Sequence, residues 1–459
     1  LGVPALLMFL FIGMLAGSEG PGGIHFDDPH LVRLLGTFAL AYILFAGGLD
    51  TEWKSVRPMF RNGIILATAG VFLTAVFVAV FAVLVLGSSW LEGLLLGSVM
   101  SSTDAAATFA VLRSRRVSLK GHLKPLLELE SASNDPMAVF LTLTMLKLLT
   151  DPTTSWWSAF PALVKQMLIG GVMGLLLGKA VIFLINHIRL EYDGLYPVLS
   201  LAGVLLVFGT AETLGGNGYL AVYLAGVVLG NADFIHKRSL ERFHDGLSWL
   251  MQIAMFLILG LQVFPSHLKP VIGSGILLSA FLMLAARPLA VMPCLIGSGL
   301  SVREKLLVSW AGLRGAVPIV LATFPMTAGV PEAEMIFNLV FFVVIASVLL
   351  QGTSLTRMAR WLGLDRPIGP KTRMPLEFER TEGSLRTSMV ELVILPDSPA
   401  AGRQIIDLKL PSGVLVAMVQ RGGEYLVPNG GTVFQPGDVV LVLGEQESLG
   451  IARRLLTPL

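Results

Sequence analysis

Leu129–Leu141 reads LESASNDPMAVFL. The stretch lies in a run, residues 122–150, otherwise long and apolar enough to cross a bilayer, yet it carries Glu130, Asn134 and Asp135 within two turns. A carboxylate at the bilayer centre costs at least about 2.5 kcal/mol on the lowest of the transfer scales. Acids kept at that depth point to ion or proton chemistry.

The surrounding composition supports a membrane setting. Hydrophobic residues make up 54% of the chain and charged residues 14%, with a mean hydropathy of +0.76; soluble domains carry about 25% charge. The formal net charge is only +2, which gives no nucleic-acid footprint. Cys294 is the single cysteine, so no internal disulfide forms. The seven histidines fall in or near expected loops and no HExxH pattern occurs, which argues against a metalloenzyme. We expect no enzyme and no cofactor. The chain opens already apolar, without Met and without a signal-peptide pattern, so a missing N-terminal segment is expected.

Twelve apolar runs can each span, near 3–18, 30–49, 62–87, 90–113, 122–150, 159–188, 194–213, 216–231, 246–264, 270–297, 303–327 and 334–358. Basic loops (Lys54, Arg57, Arg61; Arg113, Arg115, Arg116, Lys120; Lys237, Arg238, Arg242; Arg303, Lys305; Arg357, Arg360) alternate with poor ones such as SEGPGGIHFDDPH. Only Lys269 breaks the pattern, and the rich side, with the C-terminus, is expected in the cytoplasm. Residues 364–384 read as a polar linker. MVELVIL, GVLVAMVQR, EYLVP and DVVLVLG, separated by turn signals and followed by the helical ESLGIARRLL, read as a small cytoplasmic α+β domain over 385–459. Its role is left open between a stability or dimerisation module and a sensor of a small cytoplasmic ligand.

Two spans look broken. Ser101, Ser102, Thr103 and Asp104 interrupt WLEGLLLGSVMSSTDAAATFAVL, and Gly312, Arg314, Gly315 and Pro318 interrupt KLLVSWAGLRGAVPIVLATF. The two are seven spans apart and so cross in opposite directions, as inverted repeats with two interrupted crossing helices require. Asp104 can offset the partial positive charge at a half-helix start, and Arg314 the negative charge at a half-helix end. Carbonyls freed at Thr103 are candidate cation ligands.

STDAAATFAVL, ELESASNDPMAVFLTLT, GGNGYLAVYLAGVVLGN, WLMQIAMFLILGL and SWAGLRGAVPIVLATFPM resemble, in order and over essentially the whole chain, the bacterial NhaP-type monovalent cation:proton antiporters. The likeness is greatest to the potassium/proton subgroup that ends in a TrkA-C (RCK-C) domain. It implies an all-α polytopic protein of the bacterial inner membrane, a homodimer, with a transmembrane domain over 1–363 lacking the family's first span. It implies that Asp135 binds cation and proton in turn, with Ser131 and Thr103 as cation ligands. Asn134 gives the form of the motif linked to electroneutral exchange. Glu130 and Arg314 resemble a buried ion pair. One departure is Ala46, where many relatives carry an acid; Asp50 and Glu52 come later.

The residues themselves support this chemistry. Glu130 and Asn134 are four apart and share a helix face, while Asp135 lies about 140° from Glu130. Pairing of Glu130 with Arg314 would leave Asp135 without a basic partner, free to hold either a proton or a cation. Competition for one carboxylate is an exchange mechanism, for K+ or for Na+ or Li+ against H+. A channel gated by the tail domain is the rival reading, but no TVGYG-type filter occurs. A non-transporting sensor would leave the clustered membrane acids unexplained. Arg287, deep in LAARPLAV, reads equally as scaffolding or as access-path charge.

Overall fold

The computed structural model describes residues 5–367 and 387–456, except positions 27, 116, 152, 154, 189, 193, 235, 396, 397 and 423. Most of the expected linker, from 368 to 384, and Arg116 of the basic loop lie outside the described residues. The chain divides into two units, Leu1–Gly369 and Pro370–Leu459.

The first unit is helical. Its elements are α1 (Ala5–Ala16), α2 (Pro29–Leu49), α3 (Trp53–Leu86), α4 (Trp90–Met100), α5 (Ala105–Ser114) and α6 (Leu123–Thr150). Then come α7 (Trp156–His187), α8 (Leu195–Thr213), α9 (Gly218–Gly230), α10 (Lys237–Gln262), α11 (Pro265–Cys294), α12 (Val302–Trp310), α13 (Ala316–Thr327) and α14 (Ala333–Trp361). Among the described residues, seven of these helices are long and apolar enough to span by themselves, and α4 with α5 forms one further span bent by 43°. The rest fail that test for physical reasons: α6 carries the acids, and α1, α9, α12 and α13 are short.

Both crossing spans start in the same way. Ser89 and Glu92 form a capping box at α4, and Ser301 and Glu304 form one at α12. A half-helix follows in each, of 11 and 9 residues, before the break. The matching start, absent from the sequence argument, adds to the signs of an inverted repeat.

Packing divides the helices into two groups. In one, α2 lies against α9 and α10, α9 against α7 and α8, and α1 against α10. Gly170, Gly174 and Gly178 recur every fourth residue on α7 because backbone of α9 at Asn217, Ala221 and Ala225 occupies the place of a side chain. In a membrane such small-residue seams replace the hydrophobic effect as the source of helix association. In the other group, α3 packs on α4, α4 on α6, α13 on α14, and α11 on α12 and α14.

Two local features depart from expectation. Val117–Leu119 (β1) and Asp365–Pro367 (β2) form an antiparallel ladder, so the expected linker begins as a strand. Three-residue strands carry too little periodicity to be read from sequence. His244, expected in or near a loop, sits in α10 with 1% exposure, its Nε2 2.9 Å from Ser200 Oγ.

In the second unit β3 (Thr387–Val393), β4 (Leu415–Arg421), β5 (Glu424–Leu426) and β6 (Val439–Glu445) form an antiparallel sheet in the order β3-β6-β4-β5. α15 (Gln446–Leu456) packs on β3 and β6. Val416, Val419, Phe434, Val440 and Val442 make its core, and Arg421 grips buried Asp438 through Nε at 2.8 Å and Nη2 at 2.7 Å.

Candidate ion-exchange site

The two breaks cross, and each supplies what the other lacks. A half-helix end leaves carbonyls without partners, and a half-helix start leaves N–H groups without partners. At the end of α4, Arg314 Nη1 donates to Ser101 O at 2.9 Å and to Ser102 O. At the start of α5, Asp104 Oδ1 accepts from Ala107 N at 2.9 Å. At the end of α12, Thr108 Oγ1 donates to Ala311 O at 2.9 Å and Gln351 Nε2 to Trp310 O at 3.1 Å. The backbones themselves meet where Asp104 N donates to Leu313 O at 2.7 Å. A side chain at Gly315 would fall on the Asp104 carboxylate, so Asp104 also lies against the start of α13.

α6 passes beside this crossing and bonds to the first break. Ser131 Oγ donates to Thr103 O at 2.8 Å and accepts from Ala105 N at 2.9 Å. Asn134 Nδ2 donates to Thr103 Oγ1 at 2.6 Å. Asp135, 6% exposed, accepts from Ser102 Oγ at 2.5 Å. Asn217, the cap of α9, donates to Pro136 O at 3.1 Å, one residue beyond Asp135. Thus Asp135, Asn134, Ser131, Thr103 and Asp104 come together in one cluster, with Asp135, Asn134 and Thr103 buried. Ser102 and Asn217 join it unforeseen. Ser102 stood in the break and so carried a signal, whereas Asn217 carried only an N-cap signal.

The ion pair differs from the expected one. Glu130, 1% exposed, pairs with Arg287 Nη2 and not with Arg314. Arg314 is 2% exposed and has its guanidinium on the carbonyls of α4. Two features explain the exchange of roles. A π-helical turn at Leu282–Ala286 precedes Arg287, and such turns shift the register of the side chains that follow. The absence of a side chain at Gly312 then lets the arginine pass, since a Cβ there would meet Arg287 Nε at 2.8 Å. Arg314 instead donates to the carbonyls that end α4.

Several residues on one side of the cluster are exposed or half-exposed. Glu128, Ser131 and Asp135 recur on one face of α6. Glu128 and Ser131 are partly exposed, and Gly47 and Ala106 are exposed. Asp50, in the loop after α2, has its carboxyl pushed up to about 6, first by partial burial and then by Asp245, Glu128 and Glu241 nearby, with Arg113 opposing. Asp50 and Glu52 therefore lie in the loop after α2 and not at the place of Ala46 inside it.

Comparison with known proteins gives the family. The family model described as the transmembrane sodium/hydrogen exchanger matches residues 1–361, and that of the TrkA-C domain matches 389–457. A K(+)/H(+) antiporter NhaP of Alkalimonas amylolytica is 41% identical over 96% of this chain and 77% of its own length. A K(+)/H(+) antiporter NhaP2 of Shewanella oneidensis is 41% identical over 98% of this chain and 78% of its own. The solved sodium proton antiporter MjNhaP1 of Methanocaldococcus jannaschii superposes with a TM-score of 0.68 at 26% identity, covering 78% of this chain and 92% of that one. With its crossed broken helices, buried acids and strand-bearing tail, the chain belongs to the sodium/hydrogen exchanger family, as an NhaP-type cation/proton antiporter with a TrkA-C domain.

Proposed function

We propose that the chain exchanges K+ for H+ by competition at Asp135, one cation or one proton per crossing, so that no net charge moves. The observation that carries this reading is the division of labour among the buried charges. Arg287 is paired with Glu130 and Arg314 with carbonyls, while Asp135 has a neutral hydroxyl as its hydrogen-bond partner. A carboxylate so placed needs a proton or a cation as counter-charge. Thr103 and Ser131 would complete a cation site with oxygen atoms, and Asn134 would hold Thr103 in place without adding charge. K+ is favoured over Na+ or Li+ because the relatives at 41% identity are K(+)/H(+) antiporters. The setting is the bacterial inner membrane, with the tail in the cytoplasm, a homodimeric assembly and a role in cation and pH homeostasis. The tail would bind a small cytoplasmic ligand and adjust the rate.

The test is cation-induced proton release from reconstituted vesicles with K+, Na+ and Li+ in turn. Asp135→Asn keeps the size and removes the titration, and it should abolish exchange in a protein that still melts cooperatively. Wild-type rates in that folded variant would end the proposal.

A further inference from the structure

At the end of α2 away from Asp50, Arg33 ties α2 to α13 across the two helix groups. Arg33 stands one turn into α2, and α13 ends beside it. Its Nη1 donates to Thr327 Oγ1 at 3.0 Å, and its guanidinium lies 4.4 Å from the centre of the Phe324 ring. One turn further along α2, Gly36 has no side chain because Val320 Cγ1 would lie 2.6 Å from it. Val320, Phe324 and Thr327 thus form the strip of α13 that seals against α2. Val320 and Phe324 are each 3% exposed. α13 is also the half-helix that starts at the crossing, so a movement of its far end is a movement of the site.

We propose that Arg33 is the latch that holds the ion path shut at this end and so sets the balance between the two access states. The inference rests on the exchange function proposed above. An exchanger must open and close this seam once per cycle, and a contact made in only one state biases the equilibrium by its own free energy. Arg33 is the suited residue type. A flat guanidinium can stack on a ring and donate sideways at once, whereas a lysine has only a point charge. Arg33 touches neither ion nor proton and acts by positioning α13.

The test uses full-length protein in vesicles with Cys294→Ala and a reporter, Val320→Cys, under the latch. A membrane-impermeant maleimide is applied from the Arg33 face. Arg33→Ala should raise the labelling rate at least about tenfold, equivalent to about 1.4 kcal/mol in the equilibrium, and Arg33→Lys should fall between the two. Thr327→Val, which removes the acceptor from the other side of the seam, should act in the same direction and guards against a folding failure of the arginine variants. The apparent KM for the cation should shift together with the labelling. Unchanged labelling in folded Arg33→Ala and Thr327→Val would overturn the latch. Labelling does not require turnover, so a latch that responds while Asp135→Asn still exchanges would discard the site and keep the latch.

Discussion

The two breaks are equivalent in topology and opposite in chemistry. Each follows a half-helix begun by a serine capping box, and each passes the other near the middle of the bundle. The first break presents hydroxyls and a carbonyl to α6, at Ser102, Thr103 O and Thr103 Oγ1. The second presents a guanidinium and two clearances, at Arg314, Gly312 and Gly315. The shared topology supplies a crossing of dipoles, and side-chain choice gives one strand oxygens that face α6 and the other a guanidinium. The guanidinium of the second break is spent on the carbonyls that end α4, which leaves Asp135 a neutral hydroxyl as its hydrogen-bond partner.

The largest effect should come from the ion pair that frames this contrast. Glu130→Gln strands Arg287, and Arg287→Gln strands Glu130. Either should cost roughly 3–5 kcal/mol, as does the loss of one partner of a buried pair. The double variant should regain at least half of the loss in thermal melts of the purified protein. Glu130→Gln combined with Arg314→Gln should instead be additive, because Arg314 serves carbonyls of α4. Rescue in that second combination, and not in the first, would reverse the roles assigned to the two arginines.

This pair also marks the limit of what was legible. The breaks showed in the sequence because Ser-Ser-Thr-Asp and Gly-Leu-Arg-Gly interrupt apolar runs, and Asp104 could be read as a cap from its position alone. Which arginine reaches Glu130 depends on the neighbours of α6 and on a π-helical turn before Arg287, neither of which leaves a local pattern. Gly312 was the available clue. A glycine beside a deep arginine makes room for something, and here that is the other arginine. Asn217 was hidden for the same reason, since its reach to Pro136 O is a property of packing between α9 and α6. The tail was more open to reading, because alternating strands and turn residues are local signals.

A matched pair of serines sharpens the contrast at smaller scale. Ser102 Oγ donates to Asp135, and Ser347 Oγ accepts from Arg314 N at 3.1 Å. Hydrogen bonds to charged groups are worth about 1.5–3 kcal/mol and neutral ones about 1 kcal/mol. Ser102→Ala should shift the apparent cation affinity or the pH midpoint of exchange by about three- to tenfold while the fold holds. Ser347→Ala should lower stability by about 1 kcal/mol and leave the apparent KM as it was. Equal effects of the two on exchange would mean that both breaks carry ligands, and the division between them would fall.

The smallest expected effect lies at Asp50, in the loop after α2. Asp50 titrates at about 6 because burial and the acids Asp245, Glu128 and Glu241 disfavour its charge. As pH rises through that value the carboxyl becomes negative, and a negative patch raises the local concentration of cations. Asp50→Asn should therefore raise the apparent KM by about twofold near pH 8 and leave it unchanged near pH 5. The difference should shrink as salt is added, because at about 0.15 M the Debye length is only about 8 Å. Stability should move in the opposite sense. A carboxyl whose folded value is raised contributes stability that is fully present below its unfolded value, near 4, and is lost as pH rises through 6. The Asn variant should then melt with wild type in acid and above it beyond about pH 6. A KM change of the same size at both pH values would assign Asp50 a steric part in the loop, and the approach to the first break would have to be explained without its charge.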